Sequence, residues 1–325
     1  MGDSKTAFHP GDQISFFELV QQIGTGGFGS VWVCKSTDDD LFYAIKIEKV
    51  SSPRQTLKFE TTVLKKLQSS DFFPKLKFDG TDAGYHFLVM ELLGPNLDTV
   101  SSNLPSGHFT APFIHSIALQ MLLAIEVFHS KGYVHRDIKP QNFVCRLESG
   151  SPICLLDYGI SKLYLDSNGQ HIQAREHTSA LGSVLYSSPN SHQHEELSRR
   201  DDLYSFIYSL CHLYGIELPW ASSTLPNEIL RLKKEHTLTE LGSQISPELG
   251  EIGQMISSLD YSSTPNYAAM KAKLQSENKQ MEWVTAPGNK KFAGKFPNDP
   301  TGFLTNLSQY VLAKSSNRKK ECSVI

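Results

Sequence analysis

The feature that most constrains the fold is a change in the hydrophobic pattern at Gly94-Pro95. Before this point, short segments rich in β-branched and aromatic residues are typical of strands. The predicted strands are residues 15–23, 31–35, 41–47 and 85–93. After this point, apolar residues recur at the spacing of helices. The chain therefore predicts an α+β fold, with a small β-rich N-terminal part and a larger, mainly helical C-terminal part.

Local signals mark the ends of the predicted helices. In the N-terminal part, Ser52 is a candidate N-cap and Pro53 a candidate first residue of a helix. In the C-terminal part, residues 110–132 and residues 198–215 each carry a helical apolar stripe that ends at a glycine.

Charge and cysteine content exclude several classes of protein. The 325-residue chain has 31 Lys and Arg against 34 Asp and Glu, a net charge of −3 that gives no general attraction to nucleic acid. Its five cysteines form no CxxC pair, which argues against a disulfide framework or a zinc site and favours a reducing compartment. The longest apolar stretch, residues 113–128, contains Glu126 and is not predicted to span a membrane. We therefore expect a cytoplasmic protein.

A glycine-rich string, Gly24-Thr25-Gly26-Gly27-Phe28-Gly29, fits the pattern GxGxxG. In a dinucleotide-binding fold the third glycine opens a helix. Residues 30–34 instead have the composition of a strand, so the string is predicted to form a turn between two strands. Either this turn covers phosphates or it is a hairpin that binds no ligand.

Lys46 on the third predicted strand and Glu60 on the following helix form the first pair of candidate functional residues. Lys46 lies between Ile45 and Ile47, so it could simply belong to the exposed face of the strand. Glu60, however, lies within the apolar stripe of its helix, where a carboxylate is costly unless a cation satisfies it. Lys46 is the natural partner, and a Lys–Glu pair beside a glycine-rich turn anchors ATP in protein kinases.

A second cluster of motifs indicates phosphoryl transfer. Residues 135–142 fit HRDxxxxN, and an Asp-Tyr-Gly sequence begins at Asp157. Phosphoryl transfer needs a carboxylate that orients the attacking hydroxyl, a cation on the transferred phosphate and a metal ion held between the phosphates. Asp137 suits the first role and Lys139 the second, while Asn142 and Asp157 supply hard oxygen ligands that suit Mg²⁺. Each motif alone has an ordinary structural explanation, but their order and spacing favour the chemistry.

These motifs together resemble those of the eukaryotic protein kinases over residues 15–283, and within that superfamily the chain resembles casein kinase 1. The tau-tubulin kinases belong to the same group and are the nearest competing family. The segments that carry the closer resemblance are Glu91-Leu92-Leu93-Gly94-Pro95-Asn96-Leu97, Ser188-Pro189-Asn190, Leu197-Ser198-Arg199-Arg200-Asp201-Asp202-Leu203 and Leu218-Pro219-Trp220.

The resemblance implies a bilobal kinase fold, with an N-lobe of about residues 15–93 and a C-lobe of about residues 94–283, which binds ATP and Mg²⁺ between the lobes. It implies a Ser/Thr kinase, because Lys139 follows the catalytic Asp by two residues, and it implies that Asp202 supports the catalytic loop. Met90 would be the gatekeeper, followed by the hinge that pairs with adenine. The residues implied to surround ATP are Ile23, Gly24, Thr25, Gly26, Gly27, Phe28, Gly29, Ser30, Val31, Ala44, Lys46, Met90, Glu91, Leu92, Leu93 and Val144.

Two substitutions relative to most kinases are expected to cost little. Tyr158 replaces the usual Phe after the metal-binding Asp and keeps the ring. Asn190 replaces the acidic residue that pairs with an Arg in most kinases, a pair that the casein kinase 1 group generally lacks.

A third substitution bears on the substrate. Leu185 stands where casein kinase 1 has an Arg that helps to bind the phosphate of a primed substrate, and Thr178 stands where the family has a Lys. Leucine cannot form the charge-assisted bond that a phosphate needs, so a preference for primed substrates does not follow here. Arg175 and the Lys233-Lys234 pair remain as basic groups, although the two lysines could instead be a solvated helix face.

The two ends of the chain lie outside the predicted kinase domain. Residues 1–14 form an N-terminal extension, and residues 284–325 form a basic tail that ends in Cys322-Ser323-Val324-Ile325, which fits a CaaX box. A prenyl group on Cys322, with the basic residues before it, would bind an anionic membrane. The alternative is a chance cysteine near the end of the sequence.

Two functions remain open at this stage. The first is an active, monomeric Ser/Thr kinase of protein substrates. The second is a catalytically weak pseudokinase that acts as a membrane-associated scaffold. All the usual catalytic positions are filled, which favours the enzyme.

Overall fold

The computed structural model describes residues 8–26, 29–104, 106–146 and 153–275, which divide into two compact units. Among these residues, unit 1 comprises 8–95 and 145–146, and unit 2 comprises the described residues of 96–144 and 153–275. Unit 1 is rich in β-strand and unit 2 is mainly helical, as the sequence predicts. Gly27, Phe28 and Cys322 lie outside the described residues.

Unit 1 contains a six-stranded antiparallel sheet in the strand order β1-β2-β3-β4-β6-β5. Its elements are β1 (Gln13–Ile14), β2 (Phe17–Gly26), β3 (Gly29–Ser36), β4 (Phe42–Lys49), α1 (Thr56–Leu67), β5 (Leu76–Asp82) and β6 (Tyr85–Glu91). The sequence predictions missed the edge strand β5, because its Asp and Gly residues are uncommon in strands.

The core of unit 1 determines which way Lys46 faces. Ile45 and Ile47 of β4 belong to a buried cluster that includes Phe17 and Trp32. Because successive side chains of a strand point to opposite faces of the sheet, Lys46 lies on the other face. There its side chain contacts α1.

The start of α1 differs from the prediction. The helix begins at Thr56, so Pro53 is not its first residue and Ser52 is not its N-cap. The buried carboxylate of Glu48, on β4, accepts hydrogen bonds from the backbone N–H groups of Thr56 (3.2 Å) and Leu57 (2.7 Å). These N–H groups have no acceptor within the helix, so a side chain from the sheet caps α1.

Unit 2 consists mainly of helices. They are α2 (Leu97–Ser102), α3 (Ala111–Ser130), α4 (Pro189–His192), α5 (Arg199–Tyr214), α6 (Pro226–Glu235), α7 (Leu238–Ser243), α8 (Pro247–Ser257) and α9 (Tyr267–Gln275). Its short strands are β7 (Tyr133–Val134), β8 (Phe143–Val144), β9 (Cys154–Leu155) and β10 (Lys162–Leu163), and a 3₁₀ helix spans Pro140–Asn142. β7 pairs with β10 and β8 pairs with β9, both antiparallel.

The two predicted long helices are confirmed as α3 and α5, which pack against each other. At the start of α5 the carboxylate of Asp201 accepts a hydrogen bond from the backbone N–H of Ser198 (2.8 Å), and Gly215 ends the helix with a φ of +89° that favours glycine. Among the described helices, α3 has the length and apolar composition of a membrane span, but more than half of its apolar segment is buried inside unit 2. A core helix of a folded unit has the same properties.

Candidate active site

The glycine-rich string ends a hairpin between β2 and β3, in which Gly26 pairs with Gly29. The prediction that the string lies between two strands is therefore confirmed. A Cβ atom on Gly29 would lie 2.1 Å from the carbonyl oxygen of Ile47 on β4. Only glycine allows the backbones of β3 and β4 to approach this closely at the hairpin.

Lys46 and Glu60 form an ion pair in unit 1, with Lys46 Nζ 2.5 Å from Glu60 Oε2. The Glu60 side chain is only 5% exposed and the Lys46 side chain is 26% exposed. Leu57 and Leu64 of α1 are buried on the same stripe as Glu60. The interpretation of Lys46 as an unengaged residue of an exposed strand face is therefore wrong, and the predicted pair is present.

The other residues of unit 1 implied to surround ATP lie on the sheet or directly after it. Ile23, Gly24 and Thr25 lie on β2, Ser30 and Val31 on β3, Ala44 on β4, Met90 and Glu91 on β6, and Leu92 and Leu93 follow β6. The backbone of Ala44 is paired with that of Met90, and the backbone of Val31 with that of Lys46.

The side chain of Glu91 has a structural partner. Its carboxylate accepts two hydrogen bonds from the buried Arg146, from Nε and Nη2, each 3.1 Å long. Arg146 also donates to the carbonyls of Asp71 and Phe73. The backbone N–H of Glu91 donates to the carbonyl of Lys75 (2.9 Å). Neither the carboxylate nor the N–H of Glu91 is therefore free to bind a base.

Asp137 is the centre of a hydrogen-bonded cluster in unit 2. Its Oδ2 accepts from Lys139 Nζ (2.6 Å) and from Asn142 Nδ2 (3.3 Å). Its Oδ1 accepts from the backbone N–H (2.9 Å) and the hydroxyl (2.8 Å) of Ser183. Lys139 Nζ also donates to Ser183 Oγ (3.0 Å). The structure thus brings three predicted catalytic residues together and adds Ser183 to them.

Gly182 explains how Ser183 reaches Asp137. Its φ is +83°, and a Cβ atom there would lie 2.5 Å from the carbonyl oxygen of Arg136. A side chain at residue 182 would therefore separate the two segments. Sequence reasoning did not give Ser183 a place in the site, and the glycine before it was the available signal.

A buried carboxylate, Asp202 of α5, holds the backbone of the segment before Asp137. Asp202 accepts hydrogen bonds from the backbone N–H groups of His135 (2.7 Å) and Arg136 (2.8 Å), as the resemblance implies. Arg136 has a φ of +69°, a conformation that is unfavourable for a non-glycine residue. These hydrogen bonds stabilise that conformation and so fix the position of Asp137.

The imidazole of His129 completes the environment of Asp202, with Nε2 2.8 Å from Oδ2. Burial raises the pKa of Asp202, but the hydrogen bond from His129 and the hydrogen bonds from the backbone outweigh it and hold this pKa below its usual value. Burial lowers the pKa of His129. His129 is therefore the neutral donor and Asp202 the ionised acceptor, with the hydroxyl of Tyr267 bonded to the other ring nitrogen.

Asn142 and Asp157 are the residues of unit 2 that could hold a metal ion. Asn142 Nδ2 donates to the backbone carbonyl of Asp137 (2.8 Å), so Oδ1 is the atom that it can offer to a metal. Asp157 is exposed and has a φ of +64°. The described residues contain no group of three or more His, Cys, Asp and Glu side chains that could bind a metal alone. Two oxygen donors fit Mg²⁺, which completes its shell with phosphate oxygens and water.

Tyr158 and Val144 are both buried in unit 2. The Tyr158 ring stacks on Phe128 with a centroid distance of 5.6 Å, and its hydroxyl donates to the carbonyl of Leu155 (2.6 Å). The substitution of Tyr for Phe therefore leaves no buried hydroxyl without a partner. Val144, implied to contact ATP, lies on β8.

Asn190 also has a partner that the sequence did not identify. Its Nδ2 donates to Asp201 Oδ1 (2.8 Å), which also accepts from Ser188 Oγ (2.6 Å). The amide of Asn190 therefore stabilises the start of α5 through Asp201, whereas the acidic residue of most kinases pairs with an arginine.

Two of the three basic residues considered for a substrate phosphate, Arg175 and Lys233, have partners within unit 2. Arg175 forms an ion pair with Glu196, which also binds Lys162 (2.8 Å). Lys233 is buried, so the interpretation as a solvated helix face is wrong for it, whereas Lys234 is exposed.

Comparison with known proteins assigns these motifs to a family. Residues 17–276 match the family model described as the protein kinase domain. A probable serine/threonine-protein kinase of Dictyostelium discoideum is 33% identical to the chain over 258 residues. The alignment covers 79% of this chain and 52% of that protein, so the chain spans about half the length of this curated relative.

Proposed function

The chain belongs to the protein kinase family, and from this premise we propose that it transfers the γ-phosphate of ATP to Ser or Thr hydroxyls of protein substrates. The observation that carries the proposal is the cluster in which Asp137 binds Lys139, Asn142 and Ser183. This cluster combines a carboxylate, a cation and an amide oxygen in one place, which are the groups that phosphoryl transfer requires.

In this proposal each residue of the cluster has a role. Asp137 orients the substrate hydroxyl and accepts its proton, while Lys139 stabilises negative charge on the transferred phosphate. Asn142 Oδ1 and the carboxylate of Asp157 would hold Mg²⁺, which neutralises phosphate charge when bound. Asp202 and His129 keep the loop in position.

We assign the anchoring of ATP to residues of unit 1. Lys46 binds the phosphates and Glu60 holds its ammonium group, as the 2.5 Å ion pair suggests. The glycine-rich hairpin covers the phosphates. Because the N–H of Glu91 is already used, pairing with adenine falls to the remaining backbone groups of residues 91–93.

Specificity for Ser and Thr rests on Lys139 and on the relative from Dictyostelium, whose name describes a probable serine/threonine-protein kinase. We further propose that the enzyme is casein kinase 1-like, on the basis of the segments around Leu92, Asp202 and Trp220 that resemble that family.

Substrates are proposed to need no priming phosphate. Leu185 offers no charge, Arg175 is paired with Glu196, and Lys233 is buried, which leaves only the exposed Lys234 of the basic residues considered. A phosphate without a cation or a set of N–H donors would be bound weakly.

A kinase assay with Mg-ATP tests the proposal directly. Peptides that contain Ser, Thr or Tyr would be compared, each Ser peptide with and without a phosphoserine on its N-terminal side. Transfer to Ser and Thr but not Tyr, at similar rates on primed and unprimed peptides, is the expected result. Absence of transfer to any peptide, together with retained ATP binding, would favour the alternative of a catalytically weak pseudokinase scaffold.

Localisation is a separate proposal. A monomeric cytoplasmic enzyme could be held at a membrane by a prenyl group on Cys322 and by the basic residues Lys314, Arg318, Lys319 and Lys320. Cell fractionation of wild type and Cys322→Ser tests it, because an unchanged membrane-bound fraction would rule out this anchor.

A further inference from the structure

Two adjacent lysines at the end of α6 differ completely in their surroundings. Lys234 is exposed to solvent, whereas Lys233 is only 2% exposed. Lysine is almost never fully buried without a partner, so the contacts of Lys233 indicate what it does.

Lys233 binds the backbone of the segment that follows Gly182. Its Nζ donates to the carbonyl of Val184 (2.7 Å) and to the carbonyl of Ser187 (2.5 Å). It also lies 3.1 Å from Nε2 of His192. A single ammonium group thus joins two ends of a short loop to α6.

Two aromatic rings complete this site. Lys233 Nζ lies 5.2 Å from the ring centroid of Trp220 and 5.5 Å from that of Tyr208. The indole N–H of Trp220 donates to the carbonyl of Leu185 (2.8 Å), between the two carbonyls that Lys233 binds. Three of the four carbonyls of residues 184–187 therefore have side-chain donors.

No carboxylate balances the charge of Lys233, which forms no ion pair among the residues that the structure describes. Its surroundings are two carbonyl oxygens, two aromatic faces and the neutral ring of His192, whose pKa is lowered by burial and by Lys233 itself. Carbonyl oxygens and aromatic faces are the neutral groups that stabilise an ammonium ion.

The other end of the same segment belongs to the candidate active site. Ser183 binds Asp137 and Lys139, and the next residue, Val184, is 56% exposed. The segment 183–187 therefore runs from the proposed catalytic carboxylate, through an exposed apolar side chain, to the buried ammonium of Lys233.

We infer that Lys233 is a positioning residue for the protein substrate, because it holds residues 184–187 in the conformation that places Ser183 on Asp137 and exposes Val184 to the acceptor. The inference rests on the proposed kinase function. Lys233 contacts none of the residues assigned to ATP or Mg²⁺, so its loss should weaken use of the acceptor and leave use of ATP unchanged.

The test compares Lys233→Met, which keeps the length of the side chain but removes its donors, with the matched control Lys234→Met. Steady-state kinetics would be measured with an unprimed Ser peptide and, separately, with varied ATP. We expect KM for the peptide to rise about tenfold in Lys233→Met, because both hydrogen bonds from Lys233 to the loop carbonyls are lost. KM for ATP should stay within about twofold, and Lys234→Met should match the wild type.

A second variant covers loss of folding in Lys233→Met. Trp220→Phe removes the donor to Leu185 and keeps an aromatic ring. In this variant too, KM for the peptide should rise while KM for ATP stays unchanged. The inference about Lys233 is overturned if folded Lys233→Met has the KM of the wild type for the peptide, or if its KM values for the peptide and for ATP rise equally. Neither result would overturn the proposed kinase function. A wild-type protein that transfers no phosphate would instead overturn the proposed function and this role with it.

Discussion

Ser183 and Asp137 are joined by two hydrogen bonds to the same carboxylate oxygen, one from the backbone N–H and one from the hydroxyl of the serine. The hydroxyl also accepts from Lys139, so it connects the proposed base and the proposed phosphate-binding cation. Removing it in Ser183→Ala should lower kcat for peptide phosphorylation by about tenfold, since one hydrogen bond that orients Asp137 is lost.

Ser183→Thr is the matched control, because it keeps the hydroxyl and should retain most of the activity. Both variants should bind ATP like the wild type, as measured by fluorescence titration. Equal kcat values for wild type and Ser183→Ala would show that this hydroxyl does not matter for transfer.

The ion pair between Lys46 and Glu60 allows a stability test that is separate from catalysis. Lys46→Met removes the ammonium group that binds the buried carboxylate of Glu60 and should lower the free energy of unfolding by about 3 kcal/mol. The double variant Lys46→Met/Glu60→Met removes that carboxylate and should recover most of the stability. Both variants should lack kinase activity, because both lack Lys46, which is proposed to bind ATP. Urea denaturation and a kinase assay on the same samples check both statements.

Glu48 is expected to stabilise the start of α1. Glu48→Ala leaves the N–H groups of Thr56 and Leu57 without their acceptor and should cost about 1–2 kcal/mol, the range of a lost N-cap. Glu18→Ala, an exposed position on β2, is the control and should change stability by less than about 0.5 kcal/mol. Similar unfolding midpoints for the two variants would show that Glu48 does not cap α1.

Lys233 should make stability depend on pH. Burial lowers its pKa to about 7, from an ordinary value of 10.5, so in the folded chain Lys233 is an ammonium ion below about pH 7 and a neutral amine above it. The neutral amine keeps two N–H donors for the carbonyls of Val184 and Ser187. Between the two pKa values the unfolded chain holds a proton here that the folded chain has lost, so the folded state gains stability as pH rises. The free energy of unfolding should rise by at most about 1.4 kcal/mol per pH unit.

Urea denaturation of wild type and Lys233→Met at pH 7, 8 and 9 measures this effect. The unfolding free energy of wild type minus that of the variant should increase with pH. His192, whose pKa is lowered to about 4, stays neutral over this range and does not contribute. A difference that does not change with pH would contradict the prediction.

The sequence predicted the elements whose signals are local. The strands on either side of the glycine-rich string and the helices α3 and α5 follow from composition and periodicity, and the structure contains them. The pairing of Lys46 with Glu60 follows from the place of Glu60 in the apolar stripe of α1, and it is present too. The match to the protein kinase domain confirms the predicted bilobal α+β kinase fold.

Two features that depend on distant parts of the chain were not predicted. The start of α1 depends on Glu48 from the sheet, and no property of Ser52 or Pro53 reveals that contact. Likewise, a lysine on a helix gives no local sign of whether it faces water, as Lys234 does, or a neighbouring loop, as Lys233 does.

The central claim is that Asp137 orients the substrate hydroxyl and accepts its proton during phosphoryl transfer. The variant Asp137→Asn tests this claim most directly. Asparagine keeps the size of the side chain but cannot accept the proton of the substrate hydroxyl. Initial rates of phosphate transfer from Mg-ATP to an unprimed Ser peptide should fall by about 10²–10⁴-fold relative to wild type, with unchanged affinity for ATP. A rate in Asp137→Asn equal to that of wild type would contradict the account.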